Sequence, residues 1–107
     1  MNVSDFLLPG ESMAIPAREL CRLAGFENAR SLRSAIDHER LEGALILASD
    51  RGYFLPAVEP DVARSELRSF LQRQDARLAS NRRSVKAVRR ALRELDRAAA
   101  GQLEMEG

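Results

Sequence analysis

Apolar positions recur at helical spacing near the start of the chain, where proline punctuates the sequence. Pro9 and Pro16 leave room before them for only a short helix, around residues 4–8. A longer helix is predicted over residues 17–24, because apolar residues three and four positions apart line one side of a helix. The apolar residues of that side are Leu20, Leu23 and Ala24.

A second helix follows Gly25, the glycine placed to end the first. It is predicted to begin near Asn28 or Ser31, both good capping residues, and to stop at Gly43. Two helices joined by a short turn that contains glycine predict a helix-turn-helix motif, in which the second helix contacts DNA. The inward residues of this second helix are Leu32, Ala35 and Ile36.

The hydrophobic period changes after Gly43. Two short apolar runs, 45–48 and 53–55, flank the sequence Ser-Asp-Arg-Gly at 49–52. Short apolar runs on either side of an Asp- and Gly-containing turn predict a β-hairpin. Pro56 and Pro60 then mark a linker.

Residues 61–100 contain neither glycine nor proline and predict one long helix, or two helices with a bend near Ser80 and Asn81. Apolar residues repeat there every seven positions, a pattern typical of a coiled-coil seam. We therefore predict a homodimer through this helix. The alternative is that its first half packs on its own domain while the rest is a solvated tail. The residues assigned to the dimer contact are Leu71, Leu78, Val85, Val88, Leu92 and Leu95.

Composition agrees with a small helical protein. The chain has 107 residues, of which 45% are hydrophobic and 5% aromatic, without tryptophan. An aliphatic core suits packed helices better than a β-sandwich. The single cysteine, Cys21, lies in an apolar helical pattern and is expected to be a core residue. The sequence has neither a signal-like start nor a long apolar run, so we expect a cytoplasmic protein with no membrane contact.

Charge is unevenly distributed along the chain. Residues 1–57 hold six Arg against eight acidic residues, whereas residues 58–107 hold eleven Arg or Lys against eight. Between Arg77 and Arg93 there are seven cations and no acid. Such a cationic helix is suited to phosphate contacts. Its candidate DNA-binding residues are Arg82, Lys86 and Arg89.

Two local strings resemble winged helix-turn-helix proteins. The string from Leu41 to Ile46 resembles a recognition helix running into the first strand of the wing, and Gly52 to Leu55 resembles the returning strand. The span 12–56 is similar to small uncharacterised winged-helix proteins carried by prophages and mobile elements of gut Firmicutes.

This resemblance implies a fold and a DNA-contacting surface. It implies a winged helix-turn-helix domain, placed over residues 1–58. With the helix predicted after it, the fold class is mainly α with a small β-hairpin: the winged domain, a long basic helix over 60–100 and a disordered tail over 101–107. Arginine and asparagine can pair with base edges, and serine can contact bases or phosphate. The implied DNA-binding residues are Asn28, Arg30, Ser31, Arg33 and Ser34 on the second helix and Arg51 on the wing.

Two functional classes remain open. One is a sequence-specific regulator that binds double-stranded DNA as a dimer. The other is a winged-helix module that binds a protein of a replication or transcription assembly, because this fold serves both roles. His38 is the single histidine and has no companion ligands at metal-binding spacing, and no nucleophile lies beside a candidate base. We therefore expect no catalysis, metal, cofactor or small-molecule ligand.

Overall fold

The computed structural model describes residues 1–106. It is mainly helical, with a two-stranded antiparallel hairpin and a long C-terminal helix, and so confirms the predicted fold class. The chain divides into two compact units, residues 1–71 and the residues from Gln72 onward. No helix in the described residues is both long enough and apolar enough to cross a membrane.

The two helices of the predicted helix-turn-helix are present. Helix α1 spans Ala17–Ala24 and ends at Gly25, whose φ of 80° is the left-handed cap conformation. Helix α2 spans Ala29–Leu41. Leu20 is fully buried, but Leu23 is 44% exposed, so its expected inward placement was wrong. Leu20 is the one buried residue of this eight-residue helix, and Ala17 and Cys21 are partly buried against the core.

The hairpin follows α2 as predicted. Strand β1 covers Leu47–Ser49 and strand β2 covers Gly52–Phe54, with Leu47 opposite Phe54. Ile15, just before α1, forms an isolated antiparallel bridge with the hairpin, because its N–H donates to the carbonyl of Tyr53 and its carbonyl accepts the N–H of Tyr53, both at 2.9 Å. The segment before the helix-turn-helix is therefore joined to the wing.

The N-terminal segment forms less helix than its sequence predicted. Residues Val3–Phe6 and Glu11–Met13 are single 3-10 turns. The first is held by Glu39 of α2, a buried carboxylate that accepts the N–H groups of Val3 at 2.6 Å and Ser4 at 3.1 Å. Its apolar residues complete the core, which consists of Val3, Leu7, Leu20, Leu32, Ile36 and Ile46.

Helix α3 spans Pro60–Glu106 without a break at Ser80 and Asn81. The predicted boundary at residue 58 was too early, because the first compact unit runs to Leu71. Glu66 ties this stretch of α3 to the domain by accepting the N–H groups of Glu11 at 2.7 Å and Ala57 at 2.8 Å. The early part of α3 thus belongs to the N-terminal unit, over fewer residues than the first half of the helix that one alternative assigned to it.

The disordered tail expected at 101–107 is replaced by helix as far as Glu106, and Gly107 lies outside the described residues. A single glycine at 101 costs a helix about 1 kcal/mol relative to alanine, which is too little to end a helix whose neighbouring residues favour it.

Candidate nucleic-acid interface

One side of α2 is open to solvent along its whole length. Arg30, Arg33 and Ser34 are exposed, while Leu32 and Ile36 on the opposite side are at most 1% exposed. The exposed residues are three and four positions apart and therefore lie together on the helix surface. No ion pair within the described residues involves Arg30 or Arg33. Their guanidinium groups are free of intramolecular charge partners and point away from the core.

Asn28 and Ser31, two other candidate DNA contacts, are joined by a hydrogen bond at the start of α2. The side-chain oxygen of Asn28 accepts the N–H of Ser31 at 2.9 Å, which is an N-cap bond. Bidentate pairing with adenine requires both the oxygen and the nitrogen of an amide. The cap bond uses one of the two acceptor positions of the Asn28 oxygen and fixes the direction of its amide, whereas Ser31 is exposed and contributes only its backbone N–H to the cap.

Of the acidic residues on and next to α2, Glu39 alone is turned away from solvent. It is only 7% exposed and holds the N-terminal turn. Asp37 lies on the outer side, 3.7 Å from the Nη1 of Arg40, and Glu42 lies 3.0 Å from the Nε2 of His38. The signal that separates Glu39 from the others is present in the sequence, because Glu39 alone falls at the helical spacing of the buried residues of α2.

The tip of the wing consists of Asp50 and Arg51, both exposed. The N–H of Arg51 donates to the hydroxyl of Ser49 at 3.2 Å, a local turn bond. Gly52 follows with a φ of 130°, and a β-carbon there would lie 2.3 Å from the carbonyl oxygen of Ile15. Glycine is therefore what allows the wing to pair with Ile15 while Arg51 projects from the tip.

The second unit carries a separate basic surface. Arg82, Lys86 and Arg89 are exposed and spaced four and three residues apart, which places them in one line along α3. Arg93 continues the same spacing and was missed as a candidate, although the spacing was visible in the sequence. We call these four residues the basic stripe. No ion pair in residues 1–106 uses any of them.

An apolar line runs beside the basic stripe. Its residues are the six assigned to the dimer contact, and each is 49% to 69% exposed: Leu71, Leu78, Val85, Val88, Leu92 and Leu95. We call this line the apolar seam. A shallow depression on α3 is lined by residues of both surfaces, among them Leu78, Val85, Arg82, Lys86 and Arg89.

Comparison of the chain with protein-family models, with curated proteins and with solved structures returned no match. Among the described residues, no group of three or more His, Cys, Asp and Glu side chains is placed to hold a metal ion. The arrangement thus offers two groups of exposed cations: Arg30 and Arg33 on the outer side of α2 with Arg51 at the wing tip, and the basic stripe of α3.

Proposed function

We propose that this chain is a sequence-specific DNA-binding protein, a regulator of transcription or of a mobile element, that acts as a homodimer through α3. The outer side of α2 is the observation that carries this proposal. Arg30, Arg33 and Ser34 lie there together, exposed and without intramolecular ion pairs. In helix-turn-helix proteins the second helix enters the major groove, where arginine pairs bidentately with guanine.

The wing and α3 supply contacts of a different kind. Arg51 at the wing tip suits a phosphate or minor-groove contact, because it projects from a tight turn that Ser49 stabilises. The basic stripe suits the phosphate backbone, since its charges follow one line of a helix and no acidic residue lies between Arg82 and Arg93. Such contacts give affinity without sequence preference.

The alternative is a winged-helix module that binds a protein of a replication or transcription assembly, and two observations favour it. Residues 1–71 carry eight Arg against eleven Asp or Glu, a net charge of −3 that is unfavourable near DNA. Leu41, at the end of α2, is 88% exposed, as expected of an apolar protein contact. The effect of replacing Arg33 on DNA affinity distinguishes the two functions.

The deciding experiment is Arg33→Ala. A cognate site is first selected from a random duplex pool, and the affinities of wild type and variant are then measured on cognate and scrambled duplex at one salt concentration. If Arg33 contacts a guanine, we expect a loss of about 1–3 kcal/mol on the cognate site and much less on scrambled DNA. Arg51→Ala should weaken both duplexes.

Arg64→Ala is the matched control, because it removes one exposed cation whose nearest acid, Asp61, lies 3.8 Å away on the same helix. Equal losses for Arg33→Ala on the two duplexes would make Arg33 a phosphate contact. No loss on either duplex would overturn α2 as the recognition helix, and failure of the selection to enrich any site would favour the protein-interaction module.

A further inference from the structure

We infer that two copies of this chain pair antiparallel through the apolar seam of α3, with the twofold axis near Arg83, and that this orientation places both basic stripes on one side of the pair. The homodimer itself is part of the proposed function, and the inference rests on it. The inference adds the relative direction of the two helices, their register and the DNA-facing surface that they form together.

The apolar seam requires a partner of matching periodicity. Its six side chains, each at least 49% exposed, fall at heptad spacing along one uninterrupted helix. Apolar residues at that spacing are buried most completely by another helix with the same repeat. A second copy provides that helix, and its charges determine which direction is favoured.

The two flanks of the seam differ in chemistry. One flank carries Asp75, Arg82, Arg89 and Asp96, seven residues apart, and we call it the charged flank. The other flank begins at Arg77 and continues at the same spacing with small uncharged residues. We call it the small flank, and its residues after Arg77 are Ser84, Ala91 and Ala98. Flanking positions determine partner orientation in helix pairs because their side chains meet across the interface.

Parallel pairing would bring the charged flank of one helix against the small flank of the other. Arg77 of each copy would then face Arg82 of the second copy, and no pair of opposite charges would form. Like charges at such positions are destabilising. Asn81 falls in the same seven-residue repeat, seven residues before Val88, and parallel pairing would stack it on Asn81 of the second copy. This is the one feature that favours parallel pairing.

Reversing one helix brings like flank against like flank. On the charged flank, Asp75 of each copy then faces Arg89 of the second copy, giving two opposite-charge pairs against one Arg82–Arg82 contact. On the small flank, Ser84 meets Ser84 and no charge opposes another, which permits close approach of the helices. Asn81 and its copy lie in adjacent layers, about 6 Å apart along the axis at a rise of about 1.5 Å per residue.

The register follows from the same residues. With the axis near Arg83, Leu71 of one copy packs on Leu95 of the other and Leu78 packs on Val88. The same register sets Val85 against Asn81 and Leu92 against Gln74. A shift of one heptad in one direction would set Leu95 against Arg64. The opposite shift would set Asp75 against Asp96 and Arg82 against Arg89, all with like charge.

Antiparallel pairing has a consequence for DNA binding. The basic stripe shares Arg82 and Arg89 with the charged flank, and in an antiparallel pair the two charged flanks lie on the same side. Because Arg89 is then paired with Asp75, the surface suited to a single duplex consists of Arg82, Lys86 and Arg93 of each copy, six cations in all. In a parallel pair the stripes would lie on opposite sides, where one straight duplex could not contact both.

Cysteine crosslinking tests the direction. In a Cys21→Ala background of the full chain, Leu78→Cys carrying an affinity tag and Val88→Cys without a tag are mixed and oxidised. Antiparallel pairing gives the mixed disulfide between residues 78 and 88. Parallel pairing gives the two self-crosslinked species instead, since residue 78 then faces residue 78 and residue 88 faces residue 88.

Electron-spin distance measurement provides a second test without a change in the seam. A nitroxide on Arg97→Cys, in the same background, should lie about 40 Å from its copy in the antiparallel pair, as a rise of about 1.5 Å per residue requires. A separation below about 20 Å, or self-crosslinking at residue 78, would overturn the inference.

The test also separates this inference from the proposed function. Binding of the same protein to random duplex is measured in parallel, so an antiparallel dimer that binds no DNA would refute the function and leave the pairing intact. A monomeric mass would overturn the pairing. If that monomer bound vesicles containing phosphatidylglycerol, a lipid surface would be the partner of the seam instead.

Discussion

Gly52 shows how one residue couples the wing to the helix-turn-helix. Its φ of 130° is strained for any L side chain, and its hydrogen atoms face the backbone of Ile15, where a β-carbon would lie 2.3 Å from the carbonyl oxygen. The two hydrogen bonds between Ile15 and Tyr53 depend on that approach. Glycine is thus required at this position for two separate reasons.

We predict that Gly52→Ala lowers the free energy of unfolding by more than about 2 kcal/mol, because it adds both backbone strain and a backbone collision. Urea unfolding followed by circular dichroism measures the change. Gly25→Ala is the matched variant, since its φ is 80° but no atom lies within 4 Å of the added carbon. It should cost about 1 kcal/mol. Equal costs for the two variants would show that the approach to Ile15 is unimportant.

Two carboxylates illustrate what a residue pattern leaves open. Glu39 is buried and Glu66 is partly buried, and each accepts two backbone N–H groups from distant segments. Charged acceptors of this kind contribute about 1.5–3 kcal/mol per bond. Helical spacing places Glu39, three residues after Ile36, on the inner side of α2, but it does not identify the partners, which lie at least nine residues away.

At the scale of elements, α3 has two roles along its length. Its first turns are held to the N-terminal unit by Glu66 and by Arg40, whose guanidinium lies 5.0 Å from the ring centre of Phe70. From Gln72 to Ala100 every residue except Gln74 is exposed, including the apolar seam. A helix that is apolar on one side and solvated all round is typical of a partner-binding element.

We predict that Val88→Glu combined with Leu92→Glu dissociates the dimer and leaves the N-terminal unit folded. Each substitution places a charge in the seam, where burial would be costly. Light scattering at tens of micromolar should show the mass fall toward the monomer value of 11.9 kDa. Ser80→Glu with Ala87→Glu adds the same charge away from the seam and should leave the mass unchanged. If wild type already has the monomer mass, the homodimer is refuted.

For the whole molecule, the distribution of charge matters more than its total. The net charge is +1, but residues 72–107 carry nine Arg or Lys against five acids, a net of +4, while residues 1–71 carry −3. In the proposed complex, general attraction to DNA therefore comes chiefly from α3, and α2 contributes selectivity. Affinity and specificity are then expected to respond to different substitutions.

We predict that affinity for random duplex falls steeply with salt, by about 0.9 log units per phosphate contact for each log unit of salt. Lys86→Ala or Arg89→Ala should weaken binding to all sequences alike and reduce that slope by about one. Fluorescence anisotropy at four salt concentrations measures the slope, with Arg64→Ala as the control cation. A slope near zero in the wild type would point to the protein-interaction module.

The sequence by itself determined the local elements and their order. The spacing of Leu20, Leu32 and Ile36, the cap at Asn28 and the glycine at 25 predicted α1 and α2, because helix formation and termination depend on neighbours within a few residues. The two apolar runs around the turn at 49–52 predicted the hairpin for the same reason. The line of Arg82, Lys86 and Arg89 was also visible as a pattern.

Only the tertiary structure decided the contacts between distant segments. Folding gave Glu39 its partners, the N–H groups of Val3 and Ser4, and left Arg30 and Arg33 exposed without ion pairs. It also joined Ile15 to the wing and attached the start of α3 to the first unit. These outcomes depend on contacts between segments far apart in the chain, and the periodicity of a single segment carries no information about them.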